Sequence, residues 1–365
     1  MLANMHAFDL TFSQYIQSED TLALAVSGGV DSLVLLDLVM KSHPRERIIV
    51  THFDHSLRGI ESDTDRLSIA EFCKREYLVF EGEKMDILTL SKNEQMSIES
   101  TARKYRYAFL MNIAQKYHAK YILTAHHLDD RIETALFNLI RGSKLGGIHA
   151  LSELHILPCH SEERCASRGG DTPENWDGVA DDDSSGVKTH TTHSLDLSQA
   201  QDYANMQIWL FRPLLSVTKE DILKYAVRER IIYREDMSNT DTTYLRNHLR
   251  HNILPLFIQI NSEYRRSIES FINYTEELKD WIDEEMLTFL ADRQSFSVAD
   301  FERKSPFFQK EIIRYLYEQS NSGTVGLSEG NIEEIRHYIL TANGGTEKQL
   351  RGLKLRKKSW DIIVG

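Results

Sequence analysis

Hydrophobic and polar positions follow two alternating periods along the first 140 residues. Short apolar runs typical of buried strands occur at 21–26, 47–53, 78–84 and 120–126. Between them, apolar residues recur every three or four positions, which predicts helices over 30–42, 62–76, 97–118 and 128–141. Strands that alternate with helices predict an α/β fold, a doubly wound and mostly parallel sheet with helices on both faces.

Polar clusters follow three of these predicted strands. The clusters are VSGGVDS (26–32), THFDHSLR (51–58) and TAHHLDD (124–130). In doubly wound sheets, ligands bind beyond the carboxyl ends of the strands. We therefore expect the three clusters to meet at one edge of the sheet and to form the functional site.

A polar stretch at 158–206 interrupts this pattern. It is rich in Ser, Thr, Asp, Gly and His, and it has almost no periodic apolar positions. Such a composition buries little apolar surface and predicts a solvated insertion.

The remainder of the chain is predicted to be mainly helical. A strand at 207–215 precedes a helix at 219–230, and 244–258 is predicted to be helical up to Pro255. Further helices are predicted at 263–291, 306–319 and 328–341, with a short β end at 354–364. These elements divide the chain into an α/β domain, 1–258, and a smaller, mainly helical domain, 259–365.

Composition places the chain among soluble globular proteins. Its 365 residues are 41% hydrophobic and 27% charged, which is ordinary for a protein with a buried core. No run approaches the roughly 18 apolar residues of a membrane span, and the N-terminus lacks signal-peptide features. The three cysteines, Cys73, Cys159 and Cys165, make no disulfide framework. We expect a cytoplasmic protein without a membrane partner.

The net charge of −12 at pH 7 does not exclude a nucleic-acid partner, because the acidic excess is local. Residues 161–200 contain nine Asp or Glu and three Lys or Arg, whereas 101–120 contains five basic residues and no acidic one. Binding to phosphate depends on such local basic surfaces more than on total charge.

The SGGVDS turn has the residues of a phosphate cradle. Gly28 and Gly29 permit close backbone approach, and a helix that begins at Val30 turns its free N–H groups towards the loop. Ser27 and Ser32 offer hydroxyls, and Asp31 can accept a proton or ligate Mg²⁺. The simpler alternative is a tight strand-to-helix turn without a ligand. The lysine of the GxxxxGK[ST] loop is absent.

The whole string SGGVDS matches the pyrophosphatase-loop signature of ATP-dependent adenylating enzymes. Further segments resemble, in the same order, the tRNA(Ile)-lysidine synthetases. They are HFDHSLRGIESDTD, STARKYRYAFL, TAHHLDDRIETALFNLIRGSKLGGIHAL, RPLLSVTKEDILKYA and REDMSNTDTTYLRNHLRHNILP. The resemblance covers most of 20–258, whereas the last hundred residues resemble the smaller substrate domain of that family only loosely.

The resemblance implies an adenine nucleotide alpha hydrolase-like fold and a specific reaction. ATP, with Mg²⁺, would adenylate the 2-carbonyl oxygen of the wobble cytidine in a tRNA(Ile) with a CAU anticodon. The amine of free L-lysine would then displace AMP and leave lysidine. The loop Ser27, Gly28, Gly29, Val30, Asp31 and Ser32 would bind ATP. The oligomeric state stays open, a homodimer included.

Two acidic residues of the predicted helix 128–141 are candidates for binding lysine. Asp130 and Glu133 lie on one helix face with Thr134, just after His126 at a strand end. The resemblance assigns the two carboxylates, with His126, to the substrate lysine or to catalysis. The alternative is structural, since Asp129 or Asp130 could cap the helix and Glu133 could complete a capping box.

Arginines are candidates for binding tRNA. The resemblance assigns such a role to Arg103, Arg212, Arg246, Asn247 and Arg250, and it places Arg106 in the catalytic group. Arg103 and Arg106 are one helical turn apart, as are Arg246 and Arg250. In both pairs the alternative is a solvated basic face or a surface salt bridge.

The spacing of the Cys, His and Asp residues bears on whether the chain has a metal site and on which alternative function it could have. Asp31 is the one candidate ligand for Mg²⁺, because neither HFDH (52–55) nor Cys159, His160 and Cys165 has the spacing of a metal site. A tRNA cytidine thiolase is the nearest rival, yet no C-x-x-C pair is present. The other rival is a non-catalytic RNA-binding module. Such a module would be expected to have lost acidic residues such as Asp31, yet Asp31 is present.

Overall fold

The computed structural model describes residues 3–56, 60–142, 151–157, 207–233, 248–290, 295–321, 327–350 and 352–364. Two compact units are present, Met1–Glu269 and Ser270–Gly365. The two-domain division at 258/259 remains a prediction, since compactness alone does not show that a unit folds independently. The predicted insertion, 158–206, lies outside the described residues.

The first unit is built on a six-stranded sheet with the order β3-β2-β1-β4-β6-β5. Pairing is parallel from β3 to β6, and β5 is an antiparallel edge strand. The strands are β1 Leu22–Ala25, β2 Ile48–Asp54, β3 Val79–Lys84, β4 Tyr121–Leu123, β5 Leu154–Leu157 and β6 Ile208–Phe211. The mostly parallel, doubly wound sheet expected from the sequence is confirmed.

Apolar cores lie on both faces of this sheet. Leu22 and Leu24 point into one core with Phe211, and Ala23 points into the other with Ile122, because successive strand residues face opposite sides. Burial on both faces explains the nearly continuous apolar runs of the strands. The flanking helices are α1 Ala3–Tyr15, α2 Val30–Ser42, α3 Ile60–Arg75, α4 Ile87–Glu94, α5 Ile98–Lys116, α6 Leu128–Ile140 and a helix at Lys219–Arg228.

The segment around Pro255 corrects a sequence prediction. A helix was expected to end at Pro255, but a turn of π-helix at Leu249–Ile253 leads into an α-helix at Leu254–Ile260. Proline is tolerated there because it stands in the first turn, where its missing N–H would have no helical partner. Residues 244–247 of the predicted helix lie outside the described part of the chain.

The rest of the chain contains the three predicted helices and more strand than the sequence predicts. The helices are Tyr264–Leu290, Val298–Arg303, Pro306–Asn321 and Glu329–Thr341, of which Val298–Arg303 was not predicted. The short β end is one side of a four-stranded antiparallel sheet with the order β7-β10-β9-β8. Its strands are β7 Ser295–Ser297, β8 Glu347–Leu350, β9 Leu353–Lys358 and β10 Asp361–Val364. Among the described residues, no helix has the length and apolarity to cross a membrane.

Candidate active site

The turn between β1 and α2 depends on one glycine conformation. Gly28 has a φ of +88°, which glycine adopts without steric cost. A Cβ at Gly28 would come no closer than 3.7 Å to another side chain, so the backbone angle, not space, requires glycine. Gly29 has an ordinary φ of −74°, so it does not use the same freedom.

Hydroxyl groups brace this turn. Ser32 Oγ donates to the carbonyl oxygen of Gly29 at 2.9 Å and accepts from the N–H of Ser27 at 3.1 Å. Gly29 is the N-cap of α2, and no side chain caps the helix there. The first-turn N–H groups of α2 therefore lack a capping side chain, and such groups bind anions well.

A cavity of about 340 Å³ lies beside the turn. Residues from the ends of β1, β2 and β4 line it, which is the meeting of polar clusters that the sequence predicts. Arg106 reaches the same cavity from α5. The charged and imidazole groups on its wall are Asp31, His52, Asp54, His55, Asp65, Arg106 and His126.

Two histidines of this cavity are held in their neutral form. The pKa of His52 is lowered by burial, and its Nδ1 lies 2.8 Å from the carbonyl oxygen of Val26. The pKa of His126 falls to about 4, mainly by burial and further through the charges of Arg212 and Arg106. Thr124 Oγ1 lies 2.9 Å from His126 Nδ1. Near neutral pH both groups therefore present uncharged imidazoles to a ligand.

Basic side chains surround one tyrosine near the cavity. The guanidinium carbons of Arg103 and Arg106 lie 5.3 and 5.5 Å from the centre of the Tyr107 ring. Arg103 is exposed, whereas burial lowers the pKa of Arg106 and of Arg212. Arg212 is 4% exposed and donates to the carbonyl oxygen of Ser152 at 2.6 Å. Within the described parts of the chain, neither Arg106 nor Arg212 forms an ion pair. Partial burial of Arg106 and full burial of Arg212, without an ion-pair partner among the described residues, favour an anionic ligand beside them.

The acidic residues of α6 share one basic partner. Arg250 donates from Nε to Glu133 Oε1 at 2.6 Å, and from Nη2 to Glu133 Oε2 and to Asp130 Oδ1, each at 2.9 Å. Asp130 and Glu133 thus lie together, as their spacing predicts. Arg250, which the sequence suggested for tRNA, lies against the two residues suggested for lysine.

Asp130 also has the structural role that was the alternative interpretation. Its Oδ2 accepts the backbone N–H of His127 at 3.0 Å at the start of α6. Burial opposes ionisation of Asp130, but the nearby His127 and His126, this hydrogen bond and Arg250 lower its pKa overall. Asp130 is therefore an ionised carboxylate that caps its helix and faces the site.

A second cavity, of about 210 Å³, lies on this side of the first unit. Its polar wall includes His127, Asp129, Glu133, Lys219, Arg250 and Arg265. Lys219 Nζ lies 2.5 Å from Asp31 Oδ1, and Asp31 lines the first cavity. The ion pair of Asp31 with Lys219 consequently marks the place where the two cavities approach each other.

The sequence analysis did not identify Lys219 and Arg265, and it named Asp129 only as a possible helix cap. Asp129 accepts from the backbone N–H of Lys219 at 2.8 Å and from Arg265 Nε at 2.7 Å. One signal was available for Lys219, since it follows the N-cap Thr218 just after a predicted strand on the ligand edge. Arg246 and Asn247 lie outside the described residues, and their roles remain predictions.

Comparisons with known proteins show the family to which the chain belongs. The model of the PP-loop domain family matches residues 4–167 and 185–257. A tRNA(Ile)-lysidine synthase of Bacillus anthracis is 30% identical over 317 residues, which cover 83% of this chain and 56% of that protein. The chain therefore spans just over half the length of that relative.

A second relative matches along nearly its whole length, whereas a solved structure is similar only at low sequence identity. A tRNA(Ile)-lysidine synthase of Petrotoga mobilis is 28% identical over 351 residues, which cover 94% of this chain and 92% of that protein. Among solved structures, the U34-tRNA thiolase NcsA of Methanococcus maripaludis aligns with a TM-score of 0.49 and 15% identity. That alignment covers 75% of this chain and 78% of the thiolase, and its score is too low to bear on function.

Proposed function

The chain belongs to the PP-loop domain family, whose members use ATP, and from this premise we propose that it is a tRNA(Ile)-lysidine synthetase. It would adenylate the wobble cytidine of a tRNA(Ile) with a CAU anticodon and exchange AMP for free L-lysine. The observation that carries this proposal is the 2.5 Å contact of Asp31 with Lys219. It joins the phosphate-type turn to the cavity that contains Glu133, as a two-substrate reaction requires.

In the adenylation step, the turn of Ser27, Gly28, Gly29, Val30, Asp31 and Ser32 would hold the phosphates of ATP. The first-turn N–H groups of α2 would donate to the phosphate oxygens, and the Lys219 ammonium would neutralise part of their charge. Arg106, on the wall of the first cavity, would position the target base or an adjacent phosphate. Pyrophosphate would leave from the side of the turn.

Magnesium fits this arrangement through one carboxylate. Among the described residues, no group of three or more His, Cys, Asp or Glu side chains could hold a metal. Mg²⁺ suits such a site, because it commonly binds one or two carboxylates and takes its other ligands from phosphates and water. Asp31 would hold the ion, which when bound would neutralise charge on the phosphates.

In the second step, a lysine amine must attack as a neutral group. Glu133 and Asp130 would bind the ammonium, and Asp130 would accept its proton as the amine attacks the activated base. His126, uncharged near neutral pH, would contribute a hydrogen bond without repelling the cation. Arg103, Arg212, Arg246, Asn247 and Arg250 would contact the tRNA.

Release of pyrophosphate from ATP tests the proposal. Sustained release should require both a tRNA transcript with a CAU anticodon and L-lysine, and replacement of the wobble cytidine by uridine should abolish it. Sustained release with tRNA and a sulfur donor in place of lysine would identify a thiolase instead. Tight tRNA binding without any release would indicate a non-catalytic RNA-binding module.

A further inference from the structure

The second cavity contains a side chain that already fills the role of a bound amine. Arg250 gives three hydrogen bonds to the two carboxylates that the proposed function assigns to the lysine ammonium. These bonds place one delocalised positive charge between Asp130 and Glu133. A substrate ammonium would place its own charge at the same oxygens.

Burial shows that the two cations cannot share the site unchanged. The Glu133 side chain is 1% exposed, whereas that of Arg250 is 31% exposed. Both Glu133 oxygens already accept from Arg250 at 2.6 and 2.9 Å. An incoming ammonium would therefore compete with the guanidinium for these oxygens.

Displacement in either direction breaks an ion pair of Arg250 without replacing it. Burial alone would lower the pKa of Arg250, but Glu133, with Asp130 and Asp31, raises it, so the guanidinium remains charged. If lysine alone entered, this guanidinium would lose its partners. If an RNA phosphate alone withdrew Arg250, Asp130 and Glu133 would lose this cation, and Glu133 is only 1% exposed.

An exchange of both partners conserves the charge pairs. A phosphate accepts the forked donors of arginine as well as a carboxylate does, and the ammonium can then take over Asp130 and Glu133. Arg250 also lies in the π-helical turn Leu249–Ile253, a geometry that is rare and frequently found at functional sites.

We propose that Arg250 occupies the amine site until an RNA phosphate binds the guanidinium and draws it away from Asp130 and Glu133. Binding of tRNA and binding of lysine are then positively coupled. The inference rests on the proposed function and adds the order and the mutual dependence of substrate binding. Arg250 acts in it as a positioning residue, since it controls access to the carboxylates.

Equilibrium dialysis of labelled L-lysine against the full chain, without ATP, tests this inference. In wild type, a saturating tRNA transcript with a CAU anticodon should tighten lysine binding about tenfold or more, and lysine should tighten tRNA binding by the same factor. In Arg250→Met, lysine binding without tRNA should approach the affinity of the wild-type tRNA complex, and added tRNA should change it less than about threefold. Arg250→Lys, which keeps the charge but not the fork, should show intermediate coupling.

Two results would overturn the inference, and both are separate from the proposed function. One is an absence of coupling in wild type that nevertheless forms lysidine. The other is Arg250→Met that binds lysine no better than wild type without tRNA. If Arg250→Met does not fold, Arg250→Lys replaces it in the test. Coupling between tRNA and lysine that is as strong in Arg250→Lys as in wild type would then overturn the inference. Failure of the proposed function shows differently, as a wild-type protein that forms no lysidine at all.

Discussion

Nζ of Lys219 lies 2.5 Å from Oδ1 of Asp31, although 188 positions separate the two residues in the chain. The backbone N–H of the same lysine donates to Asp129 Oδ2 at 2.8 Å. Lys219 thus connects the glycine turn after β1 with the acidic start of α6. The turn has no lysine of its own, and this contact supplies an ammonium from another helix.

Lys219→Met should weaken ATP use. A charge-assisted hydrogen bond contributes roughly 1.5–3 kcal/mol, so its loss should raise the Michaelis constant for ATP about tenfold or more. Lys219→Arg should keep most of the wild-type value. Lys224→Met is the matched control, because Lys224 is an exposed lysine of the same helix that pairs with Glu220. An unchanged ATP constant in Lys219→Met would remove Lys219 from the phosphate site.

Asp31→Ala should reduce pyrophosphate release at least about a hundredfold while the fold stays intact. Asp31 is partly exposed at the start of α2, so its removal creates no apolar cavity. Asp37→Ala, in the same helix, is the control, since Asp37 pairs with Lys41 and Tyr225 and does not line either cavity. Wild-type release from Asp31→Ala would show that the SGGVDS turn is not the phosphate site.

Glu133→Gln should raise the Michaelis constant for lysine about tenfold or more, with a much smaller effect on ATP. The amide keeps the size of the side chain but removes the charge that the proposed ammonium contact needs. Steady-state kinetics with each substrate varied in turn gives both constants. Normal lysine binding combined with poor use of Mg²⁺–ATP would instead make the carboxylates of α6 metal ligands.

The half-buried His126 should make stability depend on pH in a defined window. Its folded-state pKa of about 4 lies below the ordinary 6.5, so between these values the unfolded chain binds a proton that the folded chain does not. The contribution of His126 to the free energy of unfolding is full above pH 6.5 and decreases as pH falls towards 4. Urea unfolding should show a smaller decrease for His126→Asn than for wild type. An NMR titration of His126 with a midpoint near 6.5 would contradict this prediction.

The local pattern of apolar and polar residues was sufficient to predict most helices and strands of the first unit. The helix α2 begins at Val30 and ends at Ser42 as predicted, because apolar periodicity and the two glycines fix its limits. The edge strand β5 was missed, since its four residues carry too short a pattern to distinguish from a loop. The strands β7 and β8 were missed for the same reason, and β10, the neighbour of β7 in the sheet, is also distant from it in sequence.

Some members of the candidate site could be predicted from the sequence, but their pairings could not. Spacing placed Asp130 and Glu133 on one face, and the resemblance marked Arg250. Arg250 binds those carboxylates although it is 117 positions from Glu133 in the chain. No local sequence pattern contains information on such a contact. The contact of Arg265 with Asp129, across 136 positions, was hidden in the same way.

Incorporation of labelled L-lysine into tRNA tests the central claim most directly. With ATP, wild-type chain should transfer lysine to a tRNA(Ile) transcript with a CAU anticodon and release AMP and pyrophosphate in amounts equal to the lysine incorporated. Digestion of the product should place the label on the wobble cytidine. A transcript with uridine at that position should receive none. Label that enters both transcripts equally, or pyrophosphate release without any lysine in the tRNA, would contradict the account.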